Sequence, residues 1–144
     1  MRKSIFFFLA FVAVLFASCE LESPDNGDLD GFWHLTSVDS LQTGGNAEVS
    51  KQLIFWSVQG SLLDITQSTT GADYIFRFTY QDNTLSLYDA RINDRRKNDS
   101  LVTDVTELLP YGITSLTPRY TVEKLSGSKM ILSNDTLRLS FTKF

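Results

Sequence analysis

The chain has 144 residues, enough for one domain. Thirteen basic side chains stand against seventeen acidic ones, and the net charge of −4 excludes the cationic surface that non-specific nucleic-acid binding needs. A single cysteine excludes an internal disulfide, and a single histidine leaves no basis for a histidine-built metal centre.

Residues 1–18 read as a leader. Arg2 and Lys3 supply positive charge, and Ile5 to Phe16 is an unbroken apolar run, too short to cross a bilayer as a helix. Ala17 and Ser18 are small, as cleavage requires. Phe16-Ala17-Ser18-Cys19 resembles a bacterial lipobox. That resemblance implies cleavage before Cys19 and acylation of its thiol and new amine by chains such as palmitate. Each buried CH₂ of such chains adds ~0.8 kcal/mol of membrane affinity. Residues 19–30 follow as an acidic tether with Glu20, Glu22, Asp25, Asp28 and Asp30, unable to bury a core. Loss of Arg2 and Lys3 leaves eleven basic against seventeen acidic side chains, a mature charge of −6. An acidic stretch after the lipid cysteine resembles surface-export signals of Gram-negative lipoproteins. The expected location is therefore the outer membrane, lipid-anchored and facing outward.

From Gly31 onward the apolar residues recur with period two in short runs, which predicts an all-β domain over 31–144. Tyr74 to Tyr80 alternates four aromatics with Ile75, Arg77 and Thr79. Eight strands are expected, at Gly31–Val38, Gln52–Val58, Ser61–Gln67, Tyr74–Tyr80, Thr84–Tyr88, Arg119–Leu125, Lys129–Leu132 and Thr136–Thr142. Gln59-Gly60, Gln81-Asp82-Asn83, Ser126-Gly127-Ser128 and Asn134-Asp135 have hairpin chemistry, so neighbours are antiparallel. Open edges on such a meander are a liability, and closing it into an up-and-down barrel removes them. Asp39 to Ser50, with Gly44-Gly45-Asn46, reads as a mobile loop. The insertion between strands five and six, Ala90 to Pro118, starts charged. It then suggests a short helix capped by Asp104 with Glu107 in capping-box position and stopped by Pro110. It is expected to pack across one end of the barrel.

Gly31-Phe32-Trp33 resembles the G-x-W that opens the first strand of lipocalins, and the strand count agrees. The whole chain is similar to bacterial lipocalin-like lipoproteins. The resemblance implies an eight-stranded barrel with Trp33 inside near a closed end, and binding of a small apolar or amphipathic ligand. Candidate lining residues are Trp33, Phe55, Phe76, Phe78, Tyr120 and Phe141. On this reading Phe55 points inward, while Trp56 faces outward with Ile54 and Val58. An eight-stranded barrel can hold one small ligand or be filled by its own side chains. The second possibility makes the domain an interaction or inhibitor module, using the Asp39–Ser50 loop or the Ala90–Pro118 insertion against a protein or glycan partner.

No enzyme, cofactor or metal is read from the sequence. His34 alternates to the face opposite Trp33, and no G-x-S-x-G is present to suggest a nucleophile. Asp39-Ser40-Leu41, Asp99-Ser100-Leu101 and Asp135-Thr136-Leu137 resemble an O-glycosylation acceptor motif of Gram-negative envelopes, with Ser40, Ser100 and Thr136 as acceptors.

Overall fold

The computed structural model describes residues 26–144; the leader, Cys19 and most of the tether lie outside the described residues. All eight expected strands form, and a ninth joins them. They are β1 (Gly31–Ser40), β2 (Asn46–Glu48), β3 (Ile54–Gln59), β4 (Leu62–Gln67), β5 (Ala72–Gln81), β6 (Thr84–Ile92), β7 (Arg119–Leu125), β8 (Lys129–Ser133) and β9 (Leu137–Lys143). Each of β3 to β9 pairs antiparallel with its neighbour. β9 then pairs with β1 from Trp33↔Lys143 to Ser40↔Leu137, which closes the barrel. Register shifts at Leu35/Ser37, Ile75/Arg77 and Val122/Lys124 bend the sheet as closure requires.

Three expectations need correction. The Asp39–Ser50 stretch is not simply a loop. Its Asn46–Glu48 segment is β2, paired with Ser37–Asp39 along the part of β1 that β3 does not reach. The helix in the insertion is a 3₁₀ helix, Val105–Tyr111, and Pro110 lies inside it. Asp104 caps the backbone N–H of Thr106 at 3.0 Å rather than that of Glu107. Gly112 ends the helix, because its φ of +82° is a left-handed turn that side chains resist.

The third correction concerns β3. Trp56 points inward and is fully buried, with Ile54 and Val58, while Phe55 points outward. Leu53 has φ +54°, so the extended alternation starts only at Ile54. The register then places Trp33 opposite Trp56 and His34 opposite Phe55. Inside, Trp56 gains an apolar partner on each side along its strand; the other parity would have buried Ser57. Phe55 is nevertheless covered, because Phe32 stacks on it at 4.6 Å, Phe144 meets it edge-on at 5.6 Å and His34 lies 4.9 Å away. Leu53, just before the strand, is exposed.

Both ends of the barrel are stopped. At the end where β1 starts, Leu29 is fully buried and its carbonyl accepts a hydrogen bond from Trp33 Nε1 at 2.8 Å. This is the closed end that the G-x-W resemblance implies. Gly31 there has φ +138°, and a Cβ would sit 2.6 Å from Lys143 Cε, whose ammonium lies 4.9 Å from the Trp33 ring centre. The insertion joins the opposite ends of β6 and β7 and buries Leu108, Tyr111 and Ile113 there.

Candidate functional site

The residues expected to line a ligand cavity divide into two groups. Trp33, Phe76, Phe78, Tyr120 and Phe141 are buried inside the barrel, and Phe55 is outside it. The inner group belongs to one buried apolar cluster, which Trp56 joins. Trp56 makes edge contacts with Phe141 at 5.1 Å and with Tyr120 at 5.9 Å, filling the axis between the two stoppers. Tyr120 donates its hydroxyl proton to the Gly112 carbonyl at 2.7 Å, and burial drives its pKa upward. Tyr111 bonds Gln67 Oε1 at 3.2 Å. The insertion is therefore a plug, hydrogen-bonded to the barrel's interior. One polar atom inside, Trp56 Nε1, has no partner.

The polar hollows lie outside. Successive strands align their outward side chains in rows. Ser57, Asp64, Ile75 and Arg91 are Cα partners across β3–β6, and Leu101 of the insertion extends the row by a bridge to Arg91. Gln59, Leu62, Arg77 and Tyr88 form the next row. Two hollows open between these rows and share Leu62 and Ile75 as their floor. One, of about 280 Å³, is flanked by Ser57, Gln59 and Asp64; the other, of about 180 Å³, by Arg77, Asp89, Arg91 and Asp99. Asp89 sits between the two arginines, 3.1 Å from Arg91 Nε and 3.7 Å from Arg77 Nε. Asp64 Oδ1 and Asp99 Oδ1 are buried and have no hydrogen-bond partner.

Asp64 is half-buried, and its pKa is pushed up to about 7, first by desolvation and then by the neighbouring Asp73 carboxylate. Asp73 is itself held by the Asn93 side-chain amide at 3.2 Å. A rise from 3.8 to about 7 is worth roughly 4 kcal/mol at full strength, and water reaching half the group screens it to about 2 kcal/mol. The folded state keeps a proton that the unfolded chain releases, so stability declines as pH rises from about 4 to 7 and is flat above. Asp64→Asn is expected to remove that decline and to raise stability at pH 8 by about 2 kcal/mol. Urea unfolding at pH 5 and pH 8 measures it; parallel curves for both proteins would refute the shift.

The other side of the barrel is different. Outward residues of β7–β9 such as Thr121, Ser133 and Arg138 are polar, and Arg138 Nε donates to Glu123 Oε2 at 2.7 Å. That pairing lowers the Glu123 pKa. Among the described residues no group of three or more potential metal ligands comes together, and no helix is long and apolar enough to cross a membrane.

The barrel is closed and antiparallel, its G-x-W tryptophan points inward, and residues 14–144 match the family described as "Lipocalin-like domain". The chain belongs to the lipocalin-like family. Among solved structures, a lipocalin-like protein from Bacteroides uniformis aligns at a TM-score of 0.64 and 20 % identity, over 82 % of this chain and all of its own. An uncharacterized protein from Bacteroides eggerthii aligns at 0.61 and 18 %, over 80 % of this chain and 98 % of its own. No curated protein matches the chain. A lipocalin-like fold suggests a binding-type role. In this lipocalin-like domain the interior rings that were expected to meet a ligand belong to one buried apolar cluster, in which Tyr120 and Phe141 pack on Trp56. The outer hollows are not legible along the chain, where Asp64 and Asp99 look like ordinary solvent-facing charges; cross-strand register sets Asp64 beside Ile75, and the insertion brings Asp99 to the same floor.

Proposed function

We propose that this protein is an envelope lipoprotein, anchored in the outer membrane through acylated Cys19, whose barrel is a filled, rigid body that binds its partner on the outside. The reading is non-catalytic, and the partner is a glycan or a protein. The observation that carries it is the double closure: Leu29 stops one end, the Leu108–Ile113 plug stops the other, and Trp33, Trp56, Phe76, Tyr120 and Phe141 fill the space between. Specific small-molecule pockets are usually preformed concavities, whereas the large side chains inside this barrel have almost no exposed surface, which favours a filled interior. Carriage of a small apolar molecule inside the barrel is the second reading. It is favoured by the unpartnered Trp56 Nε1 and needs the plug to swing away.

Native mass spectrometry of the protein released from membranes separates the two. The expected spectrum shows the anchor's acyl mass and no further lipid-sized adduct; a retained adduct would favour the carrier. Cys19→Ala is expected to abolish palmitate incorporation and membrane retention. The same intact mass reports on glycosylation at Ser40, Ser100 or Thr136, of which Ser100 is exposed.

A further inference from the structure

The end of the barrel at which β1 begins carries an apolar rim. Phe32 is 38 % exposed, Leu62 42 % and Phe144 85 %. Phe32 lies at the start of β1, Leu62 starts β4 and Phe144 follows β9, so the antiparallel pairing brings all three to one end. The Phe144 backbone N–H donates to the Phe32 carbonyl at 2.8 Å. The two rings meet edge-on at 5.8 Å, and Phe32 stacks on Phe55. Rings already held by one another lose little side-chain freedom on meeting a further surface. The turns Gln59-Gly60-Ser61 and Ser126-Gly127-Ser128 lie at the same end and carry no charged side chain. Lys143 fixes the second turn there, its N–H donating to the Ser128 carbonyl at 2.8 Å, while its ammonium donates to the Asp28 carbonyl at 3.1 Å.

The chain enters the barrel beside this rim. Asn26 Nδ2 donates to the Gly60 carbonyl at 2.8 Å and to Asp30 Oδ1 at 2.6 Å, which pins the entry point to the turn that precedes Leu62. Residues 19–25 alone separate Asn26 from the lipid of Cys19. At full extension that length of chain reaches about 25 Å, so the rim is held close to the bilayer. Anchoring makes any contact there intramolecular, at an effective concentration of about a millimolar, and a few side chains then suffice. Phe and Leu are residues that enter the boundary between headgroups and acyl chains, and uncharged turns between them avoid the cost of burying charge.

We infer that the rim of Phe32, Leu62 and Phe144 is a membrane-docking surface, seated in the headgroup–acyl boundary of the bilayer that holds Cys19. Docking stands the barrel with its insertion outward and leaves the side walls open to a partner. This rests on the lipid-anchor reading above and adds the orientation.

The test uses the full-length acylated protein in phosphatidylcholine vesicles. With Cys19 acylated, an introduced cysteine is the one free thiol. Ser61→Cys and Ser68→Cys are exposed positions flanking β4 at its two ends, and each takes a nitroxide label. Relaxation by oxygen, which concentrates in lipid, is compared with relaxation by a water-soluble nickel chelate. The oxygen-to-nickel ratio is expected to be about threefold or more higher at position 61 than at position 68. It should fall to the position 68 value on adding Phe144→Ser with Leu62→Ser. Both side chains are exposed, so the fold persists, which a thermal melt verifies. Leu101→Ser with Leu109→Ser, exposed on the insertion, should leave the ratio unchanged. Equal ratios at the two positions, in protein that still floats with the vesicles, overturn the docking and leave the anchor standing. Dipolar broadening at position 61 that dilution in lipid removes would put a second copy on the rim and overturn it too. Protein that does not float with the vesicles sinks the anchor reading, and the docking with it.

Discussion

Trp56→Ala is expected to destabilise the domain by about 3–5 kcal/mol, the largest single-residue effect in the barrel. Its indole is fully buried, pairs across the sheet with Trp33 and meets Phe141 and Tyr120 edge-on. Removing it leaves a void bounded by bulky rings on three other strands, which cannot close without moving the sheet. Trp56→Phe should cost far less, because the lost Nε1 has no hydrogen bond to forfeit. Phe55→Ala removes a ring from the outside of the same strand, where solvent can follow, and should cost about 1–2 kcal/mol. Denaturant unfolding of the three variants gives the order. If Phe55→Ala were the worse, the inward face of β3 would be the opposite one.

Gly112→Val should cost about 2–5 kcal/mol and unseat the plug. Two penalties coincide at this residue. Its φ of +82° resists a β-branched side chain, and an added Cβ would stand 2.6 Å from Leu139 Cδ2. Leu139 is fully buried on β9, so it has nowhere to retreat. Relief comes by lifting the Gly112 segment outward, which breaks the Tyr120 hydroxyl's bond to the Gly112 carbonyl. The variant is therefore expected to bind an apolar fluorescent dye under native conditions, where the parent protein does not. A variant that melts like the parent and leaves the dye dark would mean that the plug is not seated against Leu139.

The same residue shows where sequence reasoning stopped. The sequence marks a short helix from Asp104 and offers Pro110 as its end. A proline near the end of a 3₁₀ helix removes one donor that is dispensable there, so the helix continues to Tyr111. Termination waits for the left-handed residue, and only the backbone torsion identifies Gly112 as that residue. β3 is a parallel case. Leu53, Phe55 and Ser57 alternate with Ile54, Trp56 and Val58, and both faces carry large apolar groups. Local alternation cannot rank them. The pairing with β1 can, because it must place Trp56 on the same side as Trp33. The outer aromatic cluster of Phe32, Phe55 and Phe144 then covers what would otherwise be a misplaced ring.

By itself the sequence determined eight of the nine strands and their antiparallel order, which follow from period-two alternation and turn residues acting between near neighbours. Closure followed from the liability of open edges, and the inward Trp33 from the G-x-W resemblance. Tertiary structure decided which ring of β3 is buried, that a plug and Leu29 close the two ends, and that Asp64, Arg77 and Asp99 surround one floor. Those outcomes depend on register and on the sign of a few φ angles. Both are settled by contacts between strands far apart along the chain, where no local pattern reaches.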